Sequence, residues 1–155
     1  MASLARLGAQ DPRLVTLAKD IVSGLPSKAY MQEVGAIFDW VQSNVKYRQD
    51  PRWFEWVQYP WYTYEHRAQG ADCDDHACFI ACLALCLGHG AAFRAIKADP
   101  MRPQEFSHVY PLVGWLERGR PVWSALDSTN LGGFMGWEPP EKRVLATLDL
   151  VIAEP

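Results

Sequence analysis

The sequence predicts an α+β domain in which helices come first and an antiparallel sheet follows, packed on a central buried helix. Helical stripes and caps occupy the first half of the chain, strand-like runs fill the second, and between them the segment ACFIACLALCL after Asp72 is apolar nearly all round. A surface helix carries one apolar stripe, so a helix apolar on every side belongs inside the core. Helices grouped before strands, rather than alternating with them, argue against parallel βαβ units. At 155 residues the chain matches one core in size, and a single domain over 1–155 is expected.

Taken in order, Asp11-Pro12 reads as a cap followed by the proline favoured at a first helical position, with Gly24 and Pro26 as stop signals, so the first helix is expected at 12–23. Ser27 is expected to cap a second helix, in which Tyr30, Val34, Ile37, Phe38, Val41 and Val45 recur at steps of three and four. It should end before Asp50-Pro51. From Tyr47 to Gly70 no period is visible, and Pro51 and Pro60 interrupt the stretch. Eight of the 19 aromatic residues fall between Tyr47 and Tyr64, too apolar a composition for disorder, so a long ordered loop is predicted. Asp72 caps the central helix, Asp75 sits in the capping-box position, and Gly88 and Gly90 end it. Strands are expected at 92–98, 106–115, 121–127 and 143–152.

Composition excludes several functions. The 15 basic residues are outnumbered by 18 acidic ones, the net charge is -3 and no basic run exceeds two, so no nucleic-acid partner is expected. No apolar stretch approaches membrane-spanning length and the N-terminal residues lack a signal-peptide pattern, which predicts no membrane association and a cytoplasmic location. The four cysteines lie between positions 73 and 86; a disulfide framework would spread them along the chain, so reduced thiols are expected. Cys78, Cys82 and Cys86 recur every four residues on the buried helix and read as small core residues.

Cys73 is different, because it falls in the first turn. There the helix dipole and unsatisfied N–H groups favour thiolate over thiol, although the flanking Asp72, Asp74 and Asp75 oppose ionisation unless they turn away or meet a cation. His108 lies within the apolar run Phe106–Tyr110, and the next strand ends on Asp127. A hairpin turn centred between Glu117 and Arg118 would set His108 opposite Asp127, and a shift of one residue would leave them diagonal and still within reach. That is how a carboxylate orients an imidazole, and with Cys73 it makes a Cys-His-Asp triad drawn from separate elements.

The string Gly70-Ala-Asp-Cys73-Asp-Asp-His-Ala77, followed by Ser107-His108-Val109-Tyr110 and Trp123-Ser-Ala-Leu-Asp127-Ser-Thr129, resembles the transglutaminase-like superfamily over roughly residues 30 to 130. The stretch Asp50-Pro-Arg, Glu55, Gln58 and Pro60 further resembles small phage and prophage transglutaminase-like proteins. The resemblance implies a papain-like fold, with Cys73 as nucleophile, His108 as general base and acid, and Asp127 as its orienting partner. It also implies attack on a peptide, isopeptide or carboxamide carbonyl through an acyl-enzyme. A cysteine protease is favoured over a transglutaminase. The alternative is a non-enzymatic phage structural or binding module, with phage structural proteins as partners and a virion-associated location.

Oxyanion donors are expected from the Cys73 backbone N–H and from Gln58, ahead of Gln69. Trp56, Tyr59 and Trp61 are candidates for a groove that takes an extended protein or peptide substrate. No cofactor is expected, and zinc-type spacing is absent. Asp72 and Asp74 are minority calcium ligands, since some relatives in the superfamily carry such a site; the favoured reading makes the aspartates helix caps.

Overall fold

The computed structural model describes residues 1–51 and 56–155. Asp11 caps the first predicted helix, its Oδ1 accepting from the Arg13 N–H at 3.0 Å. This helix, α2 (Pro12–Val22), is preceded by α1 (Ala2–Gly8), which carries no cap signal in the sequence. Ser27 does not cap the next helix. Lys28 takes a left-handed backbone, φ 64°, so the helical path cannot start until α3 (Tyr30–Asn44), whose cap position, Ala29, has no side-chain acceptor.

The predicted loop from Tyr47 to Gly70 contains a helix, α4 (Pro60–Glu65). Pro60 opens it, at the position where a missing N–H and a fixed φ do no harm. The proline that interrupts the sequence pattern is therefore a start signal. Tyr47 forms a parallel bridge with Ala71, bracketed by hydrogen bonds from Arg48 N–H to the Ala71 carbonyl (2.9 Å) and from Ala71 N–H to the Lys46 carbonyl (3.0 Å). Gly70 permits this approach. Its φ is +106°, and a β-carbon there would collide with the Arg48 side chain.

The central helix, α5 (Cys73–Cys86), is capped by Asp72 as expected, and every residue from Asp75 to Ala84 is buried. It lies against β1 (Gly90–Lys97) and β2 (His108–Glu117), with α1 to α4 packed round its other sides. With β3 (Arg120–Ala125) and β4 (Ala146–Ala153) the strands form one antiparallel sheet of order β3-β2-β1-β4. The last strand starts later than predicted because a short 3-10 turn, Glu141–Arg143, intervenes. Helices cover the face carrying Ala91, Phe93, Val113, Trp115 and Ile152. The opposite face holds a smaller cluster of Ala92, Ile96, Tyr110, Leu112 and Ala125, over which Arg94 clamps Asp149 of β4 (2.7 Å) and Glu138 (2.6 Å).

The β2–β3 turn is centred between Arg118 and Gly119, one residue later than expected, since Glu117 faces Arg120 and Leu112 faces Ala125. Both turn residues have positive φ, 51° and 76°, as a two-residue primed hairpin turn requires, and glycine is the residue that takes this conformation without strain. Among the described residues no helix is long and apolar enough to cross a membrane.

Candidate active site

Cys73 is the first residue of α5, half-buried, with its backbone at the positive end of the helix. The turn is held by a reciprocal capping box. Asp72 Oδ1 accepts from the Asp74 and Asp75 N–H groups (3.3 and 3.5 Å), and Asp75 Oδ2 accepts from the Asp72 N–H at 3.3 Å. Asp75 Oδ1 accepts from the Gln58 N–H at 2.6 Å. Oxygens of the three aspartates approach within 4.8 Å of one another. Burial, helped by their mutual repulsion, raises the Asp74 pKa to about 8 and that of Asp75 to about 7.

As a calcium site the set fits poorly. Such an ion takes six to eight oxygens, more than three carboxylates supply when both oxygens of Asp75 and Oδ1 of Asp72 already accept from backbone N–H groups and, of the set, only Asp74 Oδ1 is buried without a partner. Raised proton affinity provides an alternative to a cation for relieving the charge.

His108 opens β2, and Asp127 lies two residues beyond the end of β3. The shifted register places them diagonally, yet His108 Nε2 and Asp127 Oδ2 are 2.8 Å apart. The other Asp127 oxygen accepts from the Thr129 hydroxyl (2.6 Å) and N–H (3.2 Å). Burial alone would raise the Asp127 pKa, but His108 and then Thr129 outweigh it and the net shift is downward. For His108 burial opposes charge, and hydrogen bonding to Asp127 and to Cys73 reverses it, raising the pKa to about 9. With Nε2 occupied by Asp127, Nδ1 is the nitrogen left for Cys73. The fold thus brings the three predicted residues together.

Gln58 is tied to the first turn of α5 through Asp75, and its Oε1 accepts from the Thr63 hydroxyl at 3.2 Å, which leaves the amide NH2 as its donor. Gln69 is exposed, its N–H bonded to the His66 carbonyl. Tyr59 packs edge-on to Trp61, and Trp61 lies under the Arg13 guanidinium at 4.6 Å, on the α2 side. Trp56 is 63% exposed, with its N–H on Asp50 Oδ2. Glu55 and the aromatics Trp53 and Phe54 lie outside the described residues. Cys78 and Cys82 are buried, and Cys86 is half-buried.

Tyr47 joins the site without having been expected there. Its bridge to Ala71 sets it two residues from Cys73, with its ring 6.4 Å from that of His76. Burial, followed by the charges of Cys73, Asp72 and Asp127, raises its pKa. It heads the aromatic cluster and comes just after α3, but its contact with the site depends on a bridge that no local pattern announces.

A helix-borne cysteine facing a strand-borne histidine with a carboxylate behind it, on helices packed against an antiparallel sheet, defines a papain-like α+β protein. The profile of the transglutaminase-like superfamily matches residues 15–127, and the chain belongs to that superfamily. A search of curated proteins returns no match. Among solved structures, the chain is similar to a "putative cysteine protease" from Cytophaga hutchinsonii (TM-score 0.59, 23% identity, 87% of this chain and 41% of that one). It is also similar to a "putative protease" from Parabacteroides distasonis ATCC 8503 (TM-score 0.63, 10% identity, 99% and 29%). A third likeness is to a Rad4–Rad23 complex bound to a 6-4 photoproduct UV lesion (TM-score 0.51, 9% identity, 85% and 37%). The chain spans 29 to 41% of these solved chains, and at such identities the likeness is one of fold.

Proposed function

We propose that the protein is a thiol hydrolase that cleaves peptide, isopeptide or carboxamide bonds, a cysteine peptidase rather than an acyl transferase to amines. The observation that carries this reading is His108 held between Asp127, at 2.8 Å, and Cys73. In the proposed reaction the Cys73 sulfur attacks the carbonyl carbon while His108 holds the thiol proton. The tetrahedral oxyanion is met by the Cys73 N–H at the end of α5 and by the Gln58 amide. Collapse expels the amine, which takes the proton from His108 and leaves a thioester. Water, deprotonated by His108, then hydrolyses that thioester and restores the thiol.

The protease names of two fold neighbours agree with this reading. The Rad4 likeness shows that fold alone does not carry it. Phage structural proteins as partners and a virion location rest on the resemblance of the 50–60 stretch alone.

The test is to incubate the protein with a fluorogenic peptide library, with and without a lysine-like amine, and to follow Cys73→Ser in parallel. Hydrolysis lost in Cys73→Ser supports the proposal. Amine-dependent incorporation without hydrolysis would favour the transferase, and a wild-type protein inert in both assays would overturn the enzyme reading.

A further inference from the structure

β3 ends at Ala125, so Asp127 sits outside the sheet ladder, on a segment that must be held by other means. Its start is fixed by the Leu126 N–H on the Pro111 carbonyl (3.0 Å). Its end is fixed by Gln42 Nε2 on the Asn130 carbonyl (3.0 Å). Neither bond involves the helix that carries Cys73. Between them, Ser128 Oγ lies 2.8 Å from Nδ1 of His76, with Ser128 3% and His76 2% exposed.

His76 is one helical turn beyond Cys73 and projects on a neighbouring face of α5, while Ser128 is the residue after Asp127. Among the described residues this is the hydrogen bond that joins α5 to the 126–130 segment. We infer that His76 is a positioning residue, which through Ser128 sets the Asp127 carboxylate, and with it His108, against Cys73. The inference rests on the reading of Cys73, His108 and Asp127 as the reacting centre.

Three features favour this role over simple space filling. The pair is buried, so without its partner either polar group would carry an uncompensated desolvation cost, and an apolar pair would fill the space without fixing a direction. The His76 imidazole is kept neutral by burial, which draws its pKa down to about 4. A neutral ring does not compete with His108 for the Asp127 charge. Finally, the Leu126 and Asn130 anchors reach β2 and α3, so the contact that ties the segment to α5 is the Ser128 bond between them.

The experiment measures the rate of Cys73 alkylation by iodoacetamide from pH 5 to 10 on the full chain, with mass spectrometry to assign the site. Ser128→Ala and His76→Leu remove the bond; His76→Asn returns a polar atom close to the position of Nδ1. If His76 positions the triad, both deletions slow Cys73 alkylation at pH 7 by about 10- to 100-fold. They also move its rise to higher pH, leave the rate at pH 10 near that of wild type, and His76→Asn recovers the wild-type profile.

A structural role alone would lower the Tm and leave the pH profile of the folded protein unchanged, which would overturn the inference. Should His76→Leu fail to fold, the Ser128→Ala profile decides. If wild-type Cys73 reacts no faster than Cys86, the underlying reading of the site fails and the positioning role falls with it.

Discussion

Four cysteines on one helix meet different chemistry. Burial pushes the Cys78 thiol up to about 12. Cys82 is raised through its hydrogen bond with Cys86 and then by burial, while that same bond draws Cys86 down. Cys86 is therefore the competitor to watch, and what separates Cys73 from it is the histidine. Iodoacetamide at neutral pH is expected to label Cys73 first. His108→Gln should slow labelling of Cys73 and leave Cys86 unaffected; equal effects at both positions would remove His108 from the proposed centre. Asp127→Asn fills the same space but cannot stabilise an imidazolium. Turnover should fall by about two to four orders of magnitude with the fold retained and only a modest drop in Tm. A collapse in Tm instead would make the carboxylate a structural anchor.

At the level of elements, the first turn of α5 carries both the proposed nucleophile and the cap that shapes it. Asp72→Ala removes the acceptor for two N–H groups and should cost roughly 0.5–2 kcal/mol in urea denaturation. If the cluster serves the helix through the Asp72–Asp75 capping box, that cost should be the same with millimolar calcium or with chelator. A calcium-dependent rise in Tm, abolished by Asp74→Ala, would show that the cluster binds the ion. The hairpin depends similarly on its turn. Gly119 holds a left-handed backbone at φ 76°, and Gly119→Val should destabilise by about 1–2 kcal/mol while loosening the strand that leads to Asp127.

For the molecule as a whole, the pKa shifts set a pH window for stability. Asp74, Asp75 and His108 bind protons more tightly when folded, with pKa values near 8, 7 and 9. Their contribution is complete only below their ordinary values, 3.8 for the aspartates and 6.5 for the histidine, and is lost as pH rises from there up to the folded values. His76, drawn down to about 4, and Asp127, also lowered, act in the opposite sense and lose stability as pH falls. The Tm should therefore peak in acidic solution, at about pH 4, and decline from there to about pH 9. Calorimetry on Asp74→Asn, whose amide stays neutral, should show a Tm above wild type at pH 9 and a difference that closes only as pH falls to about 4. A wild-type Tm that rises from pH 7 to 9 would contradict the buried, proton-binding carboxylates.

Much of this arrangement was legible in the amino-acid order, because caps, apolar periods and strand runs are local and α5 with its Asp72 cap combines them all. The placement of Cys73, His108 and Asp127 was readable for the same reason: Cys73 and His108 open α5 and β2, Asp127 follows β3 by two residues, and the neighbours of each specify the type of its element. Other features were decided by tertiary contacts. Pro60 breaks a pattern or opens a helix according to how the residues after it pack against α5, and Ser27 loses its capping role to the left-handed turn at Lys28. The hairpin register depends on which two residues accept positive φ. Tyr47, His76 and Ser128 carry no signal of their own, since their meaning comes from partners 24, 52 and 52 positions away in sequence. Local propensity specifies the elements that present the reacting groups, whereas the bonds that hold those groups against one another form only when distant segments are packed together.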